Sequence, residues 1–416
     1  MATVGFIGLG KLGLPVALAI ESRGHDVIGF DINPAVEQYV RIRQIPYQED
    51  GAPELLEQTR LRVAPVSDVV RMSELIFVPV QTPHEPEFEG TTRLPESRMD
   101  FDYGYLVKAV RSVAEEAALQ RKHVNLVVIS TVLPGTMERE IKPVLGEYCH
   151  LVYNPAFIAM GTTVHDFLQT EFVLIGADPD NVAGAQQLAE FYGTVHNHRA
   201  FITDLKTAEL IKVAYNTFIG AKIVFANTMM EICDKIGANV DDLTQALSMA
   251  TTRIVSPKYM GGGMGDGGGC HPRDNIAMSW LAGELELSHN LFEDLMVARE
   301  DQTFWLAKLI ETSHKDTGLP VIILGKSYKP ETNLTVGSPS ILLSRMLDEL
   351  VVEHSSWDPY IDEPRSWPAA IYFIATNHPG FTDFAFPAGS TVIDPWRMLH
   401  GRDGVNLISV GNRRRV

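Results

Sequence analysis

Three glycines and an aspartate near the start of the 416-residue chain have the spacing to hold a dinucleotide. Val4-Gly5-Phe6-Ile7-Gly8-Leu9-Gly10-Lys11-Leu12-Gly13 reads as a strand entering a G-x-G-x-x-G turn, with a helix expected over 14–22. Gly8 permits the tight turn, Gly10 lets the backbone approach a pyrophosphate, and Gly13 allows close helix–strand contact. A second strand over 27–30 leads into Asp31, about twenty residues on, as such a motif requires. A carboxylate there accepts hydrogen bonds from the adenosine ribose hydroxyls and repels a 2′-phosphate, which favours NAD over NADP. Glycines serving packing alone are the alternative, and the flanking strands with Asp31 argue against it.

Two other groups could carry chemistry. Cys270 lies in Gly265-Asp266-Gly267-Gly268-Gly269-Cys270-His271-Pro272-Arg273-Asp274, ahead of a helix expected over 274–284. A thiol near a helix N-terminus with a cationic neighbour is set up as a nucleophile. A buried packing cysteine is the alternative that composition favours, and Cys149 and Cys233 fit it. Lys212 and Asn216, four apart in a helical stretch, project from one face. On residue type alone a solvated surface pair is the favoured reading.

The elements that must position these groups show in the hydrophobic pattern. Over the first two hundred residues, short apolar runs at 3–7, 26–30, 75–80, 125–130 and 172–175 alternate with helical patterns, as in a helix-covered parallel sheet. A single helix is expected over 203–236, stopped by Gly237 and long enough to bridge domains. A helix-rich stretch over 241–309 is interrupted by the glycines of 261–269. Strands at 321–324, 351–354, 370–374 and 391–393 follow. The expected architecture is α/β: two Rossmann-like doubly wound domains, residues 1–200 and 313–416, joined by the long central helix and a helical middle domain, 201–312. Arg413, Arg414 and Arg415 read as a solvated tail.

Composition bounds the function. A 45% hydrophobic content suffices for large cores. A net charge of -17 opposes nucleic acid and anionic membranes as partners. Three scattered cysteines supply neither a disulfide framework nor a zinc ribbon, and no metal site is expected. With no basic leader and no apolar run long enough for a bilayer, a cytoplasmic protein is expected.

Together these segments resemble the UDP-glucose/GDP-mannose dehydrogenase family along essentially the whole chain. Besides the glycine turn and Asp31, the marks are Val80-Gln81-Thr82-Pro83, Ser130-Thr131-Val132-Leu133-Pro134-Gly135-Thr136 and Asn154-Pro155. The helix with Glu209, Lys212 and Asn216 follows, then the Cys270 loop with Asp274, Gly325-Lys326-Ser327-Tyr328-Lys329-Pro330 and Ser338-Pro339. The resemblance implies oxidation of a sugar-nucleotide primary alcohol to a carboxylate with two NAD. It implies a cofactor site at Gly8, Gly10, Lys11, Leu12, Gly13, Asp31, Val80, Thr82 and Thr131. Lys212 and Asn216 would stabilise oxyanions, Cys270 would attack the intermediate aldehyde, Asp274 would assist the thiol, and Thr131 would hold a water. Phe157, Arg253, Tyr259 and Lys329 would line the substrate site with Lys212 and Asn216, Arg253 reaching a neighbouring subunit. A homodimer built on the central helix is implied as well.

The chain departs from the family pattern at functional positions. Where the family writes N-P-E-F-L-x-E-G, this chain has Asn154-Pro155-Ala156-Phe157-Ile158-Ala159-Met160-Gly161. Neither alanine nor methionine can move the proton needed to hydrolyse a thioester. Val336 and Trp396 stand at expected arginines, with Arg397 beside the latter, and Asp266 replaces an aromatic. Losing arginines weakens the hold on a diphosphate. Three readings follow: an NAD-dependent dehydrogenase of a sugar nucleotide or nucleoside-like alcohol; a redox-neutral epimerase or dehydratase acting by transient oxidation, with Lys212 or His271 handling the proton; and a non-catalytic nucleotide-binding protein.

Overall fold

Apolar runs buried on both faces build parallel sheets covered by helices. In the computed structural model, which describes residues 2–83, 85–88, 93, 95–268 and 270–412, the first sheet contains β1 (Thr3–Ile7), β2 (Asp26–Phe30), β3 (Arg62–Val63), β4 (Leu75–Val78), β5 (Val124–Val128), β6 (Cys149–Tyr153), β7 (Val173–Ala177) and β8 (Ala200–Thr203). Their order is β3-β2-β1-β4-β5-β6-β7-β8. Neighbours run parallel except β6 and β7, which are antiparallel. A second, wholly parallel sheet contains β9 (Val321–Leu324), β10 (His354–Trp357), β11 (Ile371–Ile374), β12 (Thr391–Asp394) and β13 (Asn406–Ser409), in the order β10-β9-β11-β12-β13. The chain divides into two compact units, Met1–Gly220 and Ala221–Val416, one around each sheet. The boundary falls inside the long helix Leu205–Ile236. Among the described residues, no helix is long and apolar enough to cross a membrane. The three C-terminal arginines and Gly269 lie outside the described residues.

The α/β class with one mostly and one wholly parallel sheet matches the sequence reading, and local differences have local causes. Residues 351–354 are not a strand. Val351 and Val352 close the helix Pro339–Glu349, with Val351 at φ 56° and the Val352 N–H donating to the Leu347 carbonyl at 2.9 Å, so β10 begins only at His354. Two adjacent valines suggest a strand, but the helix stop determines their backbone. The long helix starts at Leu205 rather than 203, because Thr203 belongs to β8 and Asp204 caps the first turn by accepting from the Thr207 N–H at 3.0 Å. Gly237 terminates it at φ 73°, as expected. The Cys270-side helix spans His271–Glu284, three residues earlier than the sequence indicates, since Pro272 fits its first turn.

The second unit repeats a backbone device of the first. The Gly8 N–H donates to the Phe30 carbonyl at 2.8 Å, and the Gly325 N–H donates to the Trp357 carbonyl at 2.7 Å. Each second strand is followed by an aspartate, Asp31 or Asp358, whose carboxylate accepts backbone N–H groups from the turn after the first strand. Asp358 is fully buried. Its Oδ2 accepts from the N–H groups of Lys326 (2.7 Å) and Ser327 (3.0 Å) and from the Ser327 hydroxyl (3.1 Å). The His378 Nδ1 accepts from the Glu331 N–H at 3.0 Å, so its proton sits on Nε2, which faces Asp358 at 3.2 Å. Burial opposes ionisation of Asp358, but these hydrogen bonds outweigh it and hold the carboxyl well below the usual carboxylate range. The stabilisation is complete above the ordinary aspartate pKa and is lost as pH falls toward the depressed one.

Replacing this carboxylate isolates its contribution. Asp358→Ala leaves several buried donors without an acceptor and is expected to destabilise the second unit by roughly 3 kcal/mol. Denaturant unfolding followed by tryptophan emission checks this, because all five tryptophans lie beyond residue 220; an unchanged midpoint would show the cluster to be energetically idle.

Candidate active site

The glycine turn is built as a cradle. Gly8 takes φ 106°, in the region that favours glycine. A Cβ on Gly13 would lie 2.2 Å from the Gly8 carbonyl oxygen and 2.8 Å from the Pro79 ring, so helix and turn meet backbone to backbone. A Cβ on Gly10 would meet nothing within 4 Å. The helix Gly13–Glu21 begins without a side-chain cap; its Leu14 N–H donates to the Gly10 carbonyl at 3.0 Å, and its positive end faces the turn. Leu12 occupies its N-cap position, and Lys11 beside it is exposed. Asp31 accepts from the Leu9 N–H through Oδ2 and from the Asn33 N–H through Oδ1, both at 2.7 Å. These bonds aim a half-buried carboxylate while leaving lone pairs for ribose hydroxyls. Val80 closes the other side, its Cγ2 standing 3.3 Å from the position of a Gly8 Cβ. An open glycine, uncapped N–H groups and an oriented carboxylate fit NAD.

Beyond this cradle, the loops leaving β4, β5 and β6 are tied together by side chains. The Ser130 hydroxyl donates to the Val80 carbonyl, and the Thr82 hydroxyl donates to the Thr131 carbonyl at 2.7 Å. Asn154 donates to the Leu174 carbonyl (2.8 Å) and accepts from the Tyr192 hydroxyl (2.6 Å), fixing the start of the loop after β6. Of the pair Lys212 and Asn216, the lysine is buried while the asparagine is exposed. Lys212 is only 7% exposed, and its Nζ donates to the Ala156 carbonyl at 2.8 Å, with the Asn216 Oδ1 at 3.5 Å and the Phe157 ring centroid at 5.0 Å. Burial lowers its pKa, and among the described residues no carboxylate is ion-paired with it. Ala156 is half-buried, and Met160 is 61% exposed. Two glutamates that motif reading leaves without a role prove structural here. Glu209 accepts from the N–H groups of Gly135 and Met137 (the latter at 2.7 Å). Glu49 accepts from the N–H groups of Gly161 and Thr163. Glu209 could have been suspected from its place three residues before Lys212 on one helix; nothing local marks Glu49.

In the second unit Cys270 occupies the N-cap of the helix His271–Glu284 and is exposed, whereas Cys149 and Cys233 are buried. The expected cationic neighbour, Arg273, is engaged: its guanidinium holds the Asp274 Oδ1 at 2.8 Å. The glycine segment is gripped from several sides. Arg299 reaches the Asp266 carboxylate at 2.6 Å and its carbonyl at 3.0 Å, Gln302 donates to the Gly263 carbonyl, and the Tyr328 ring abuts Gly268. Trp396 packs over Gly263, and Arg397 donates to the carbonyls of Gly262, Pro395 and Val410. Arg397, beside the arginine position taken by Trp396, is thus bonded to three carbonyls of its own unit. Val336 is 68% exposed. Lys329 is exposed, its Nζ 5.5 Å from the Tyr328 ring. Arg253 and Tyr259 are exposed in the turns of 251–260, Tyr259 at φ 67° and 6.2 Å from the His271 ring. The expected residues thus divide, with Thr131, Phe157, Lys212 and Asn216 in the first unit and Arg253, Tyr259, Cys270, Asp274 and Lys329 in the second. Among the described residues, no group of three or more His, Cys, Asp or Glu side chains could hold a metal ion.

Two substitutions separate framework from binding. Gly13→Ala is expected to cost about 1–3 kcal/mol through overpacking. Gly10→Ala should leave the unfolding midpoint unchanged while weakening NAD in calorimetric titration, and equal effects at both positions would contradict the cradle. Native-state titration with a thiol reagent should count one reactive cysteine per chain; two or three would show that the buried thiols are accessible.

Known proteins are similar to this chain in sequence and in fold. The chain is 27% identical over 367 residues to a UDP-glucose 6-dehydrogenase of Rhizobium meliloti (strain 1021), covering 85% of this chain and 80% of that protein. It is 28% identical over 372 residues to the UDP-glucose 6-dehydrogenase AglM of Haloferax volcanii, covering 86% and 83%. The fold superposes on a ternary complex of GDP-mannose dehydrogenase from Pseudomonas aeruginosa with a TM-score of 0.86 at 24% identity, over 97% of this chain and 99% of that one. Residues 2–196 match the NAD binding domain, and residues 206–299 the central domain, of the UDP-glucose/GDP-mannose dehydrogenase family. With both domains matched in order around an NAD cradle, the chain belongs to the UDP-glucose/GDP-mannose dehydrogenase family and is an NAD-dependent oxidoreductase of the nucleotide-sugar dehydrogenase type.

Proposed function

We propose that this chain oxidises the primary alcohol of a sugar nucleotide or nucleoside-like substrate, captures the aldehyde on Cys270, and completes acid release poorly. The observation that carries this reading is the buried Lys212, held against the Ala156 carbonyl with no carboxylate paired to it among the described residues. NAD, when bound, accepts hydride. The hydroxyl proton leaves toward Lys212, whose burial makes the neutral amine more accessible. Lys212 and the Asn216 amide then face the oxygen of the reacting carbon. The Cys270 thiolate would add to the aldehyde carbon, whose oxygen takes up a proton to give a thiohemiacetal. Hydride would then leave that carbon for a second NAD, exchanged for the NADH formed first, while the hydroxyl proton leaves toward Lys212, giving a thioester. Hydrolysis needs a base for water, and positions 156 and 160 offer only a methyl group and a thioether.

The same vacancy favours a second reading. A redox-neutral epimerase or dehydratase would oxidise a carbinol transiently, acidify the neighbouring C–H and return the hydride, with Lys212 or the exposed His271 handling the proton. A homodimer is proposed as well. The long helix exposes Phe218, Ile219, Ile223, Val224 and Met230, an apolar surface that association would cover.

Purified chain incubated with NAD and a panel of sugar nucleotides and nucleosides is expected to form NADH and a Cys270 adduct visible by intact-protein mass spectrometry. Met160→Glu should convert that adduct into released acid. An isomeric or dehydrated product without net NADH would transfer the assignment to the second reading, and no product of any kind would remove both. Sedimentation should give twice the chain mass, and Phe218→Asp with Ile223→Asp should return it to one chain.

A further inference from the structure

Glu209 has no part in the chemistry above, yet its carboxyl group is wholly buried, with none of its residue surface exposed. Burying a carboxylate is costly unless donors compensate. Its two oxygens take the N–H groups of Gly135 and Met137. Those groups belong to the loop that leaves β5, where Gly135 adopts φ 91° and the short helical turn Met137–Ile141 begins. The loop carries Thr131, whose carbonyl accepts from Thr82. It is pinned midway by the Leu133 N–H donating to the Tyr103 hydroxyl at 3.3 Å. Arg139 and Lys206 are the cations that favour the charged form of Glu209, against the burial that raises its pKa.

Its place on the helix gives this bond set a direction. Glu209 and Lys212 are three residues apart and so share a face of the long helix. One grips the loop after β5 through two N–H groups, the other grips the loop after β6 through the Ala156 carbonyl. One turn of helix therefore ties the loop that carries Thr131 to the loop that meets the Lys212 ammonium. The adenosine end of the cradle, from Gly8 to Asp31, is held by other bonds.

We infer that Glu209 is a positioning residue for the nicotinamide end of the cofactor site, fixing Thr131 and its loop to the helical turn that bears Lys212. The inference rests on the reading of Thr131 as a neighbour of the nicotinamide. Its signature is a split between two ligands: NAD reaches both ends of the site, whereas ADP reaches only the glycine turn and Asp31. Isothermal titration of the full chain with each ligand, for wild type, Glu209→Gln and Glu209→Ala, reads that split. Glu209→Ala is expected to weaken NAD about tenfold while ADP stays within about twofold, since two charge-assisted bonds to the loop are lost. Glu209→Gln keeps one good acceptor and should weaken NAD by about threefold, again without touching ADP; it carries the test if the alanine variant does not fold. Parallel loss of both ligands, or loss of neither, would overturn the inference, because a residue serving only fold stability predicts no split. Wild type binding ADP and NAD equally would instead refute a nicotinamide contact at Thr131, and wild type binding neither would refute the cofactor site itself.

Discussion

The carbonyl oxygen of Gly8 faces Gly13 across a gap that admits no Cβ, and much of the first unit follows from that approach. It brings the start of the helix Gly13–Glu21 hard against the turn that follows β1. The Gly8 N–H then reaches the Phe30 carbonyl, which sets where β2 stops and where Asp31 must stand. From there the Asp31 carboxylate can take the Leu9 N–H, closing a ring of backbone contacts around Gly10. Binding capacity here is a by-product of close packing: of the three motif glycines, Gly10 has open space where a Cβ would stand, between Gly8 and the crowded Gly13.

How much of this could be read beforehand depended on whether the cause was local. Gly8, Gly13 and Asp31 act through backbone geometry encoded within thirty residues, and their spacing sufficed. The buried strands β1, β4, β9 and β11 were plain because both faces are apolar. Edge strands β3, β8 and β13 went unread, being short and partly exposed, with little hydrophobic pattern to show. β6 was missed for a related reason, since His150 interrupts its apolar run. The valines at 351 and 352 misled because propensity cannot see a helix ending over them. At the site, Lys212 was found through its motif, but its burial was not, because that depends on the Ala156 carbonyl 56 residues away in sequence. Glu49 needed a partner loop more than a hundred residues on.

The departures around the Cys270 loop also have structural answers. Asp266 is matched by Arg299, Trp396 lies on Gly263, and Arg397 is bound to three carbonyls. Side chains that would otherwise face outward are turned onto the glycine segment, which stiffens a stretch whose composition alone suggests freedom.

The paired aspartates show how narrow the difference is between a receptor and a joint. Asp31 and Asp358 stand at equivalent ends of equivalent strands, each gathering N–H groups from the turn opposite. Around Asp31 the turn continues into an uncapped helix and an empty glycine, so part of the carboxylate's capacity is left over. Around Asp358, Ser327 and His378 crowd Oδ2 together with the Lys326 N–H, and the Tyr360 N–H takes Oδ1. A duplicated scaffold has thus been kept hospitable at one end of the chain and sealed at the other, with the choice made by side chains that never belong to the shared motif.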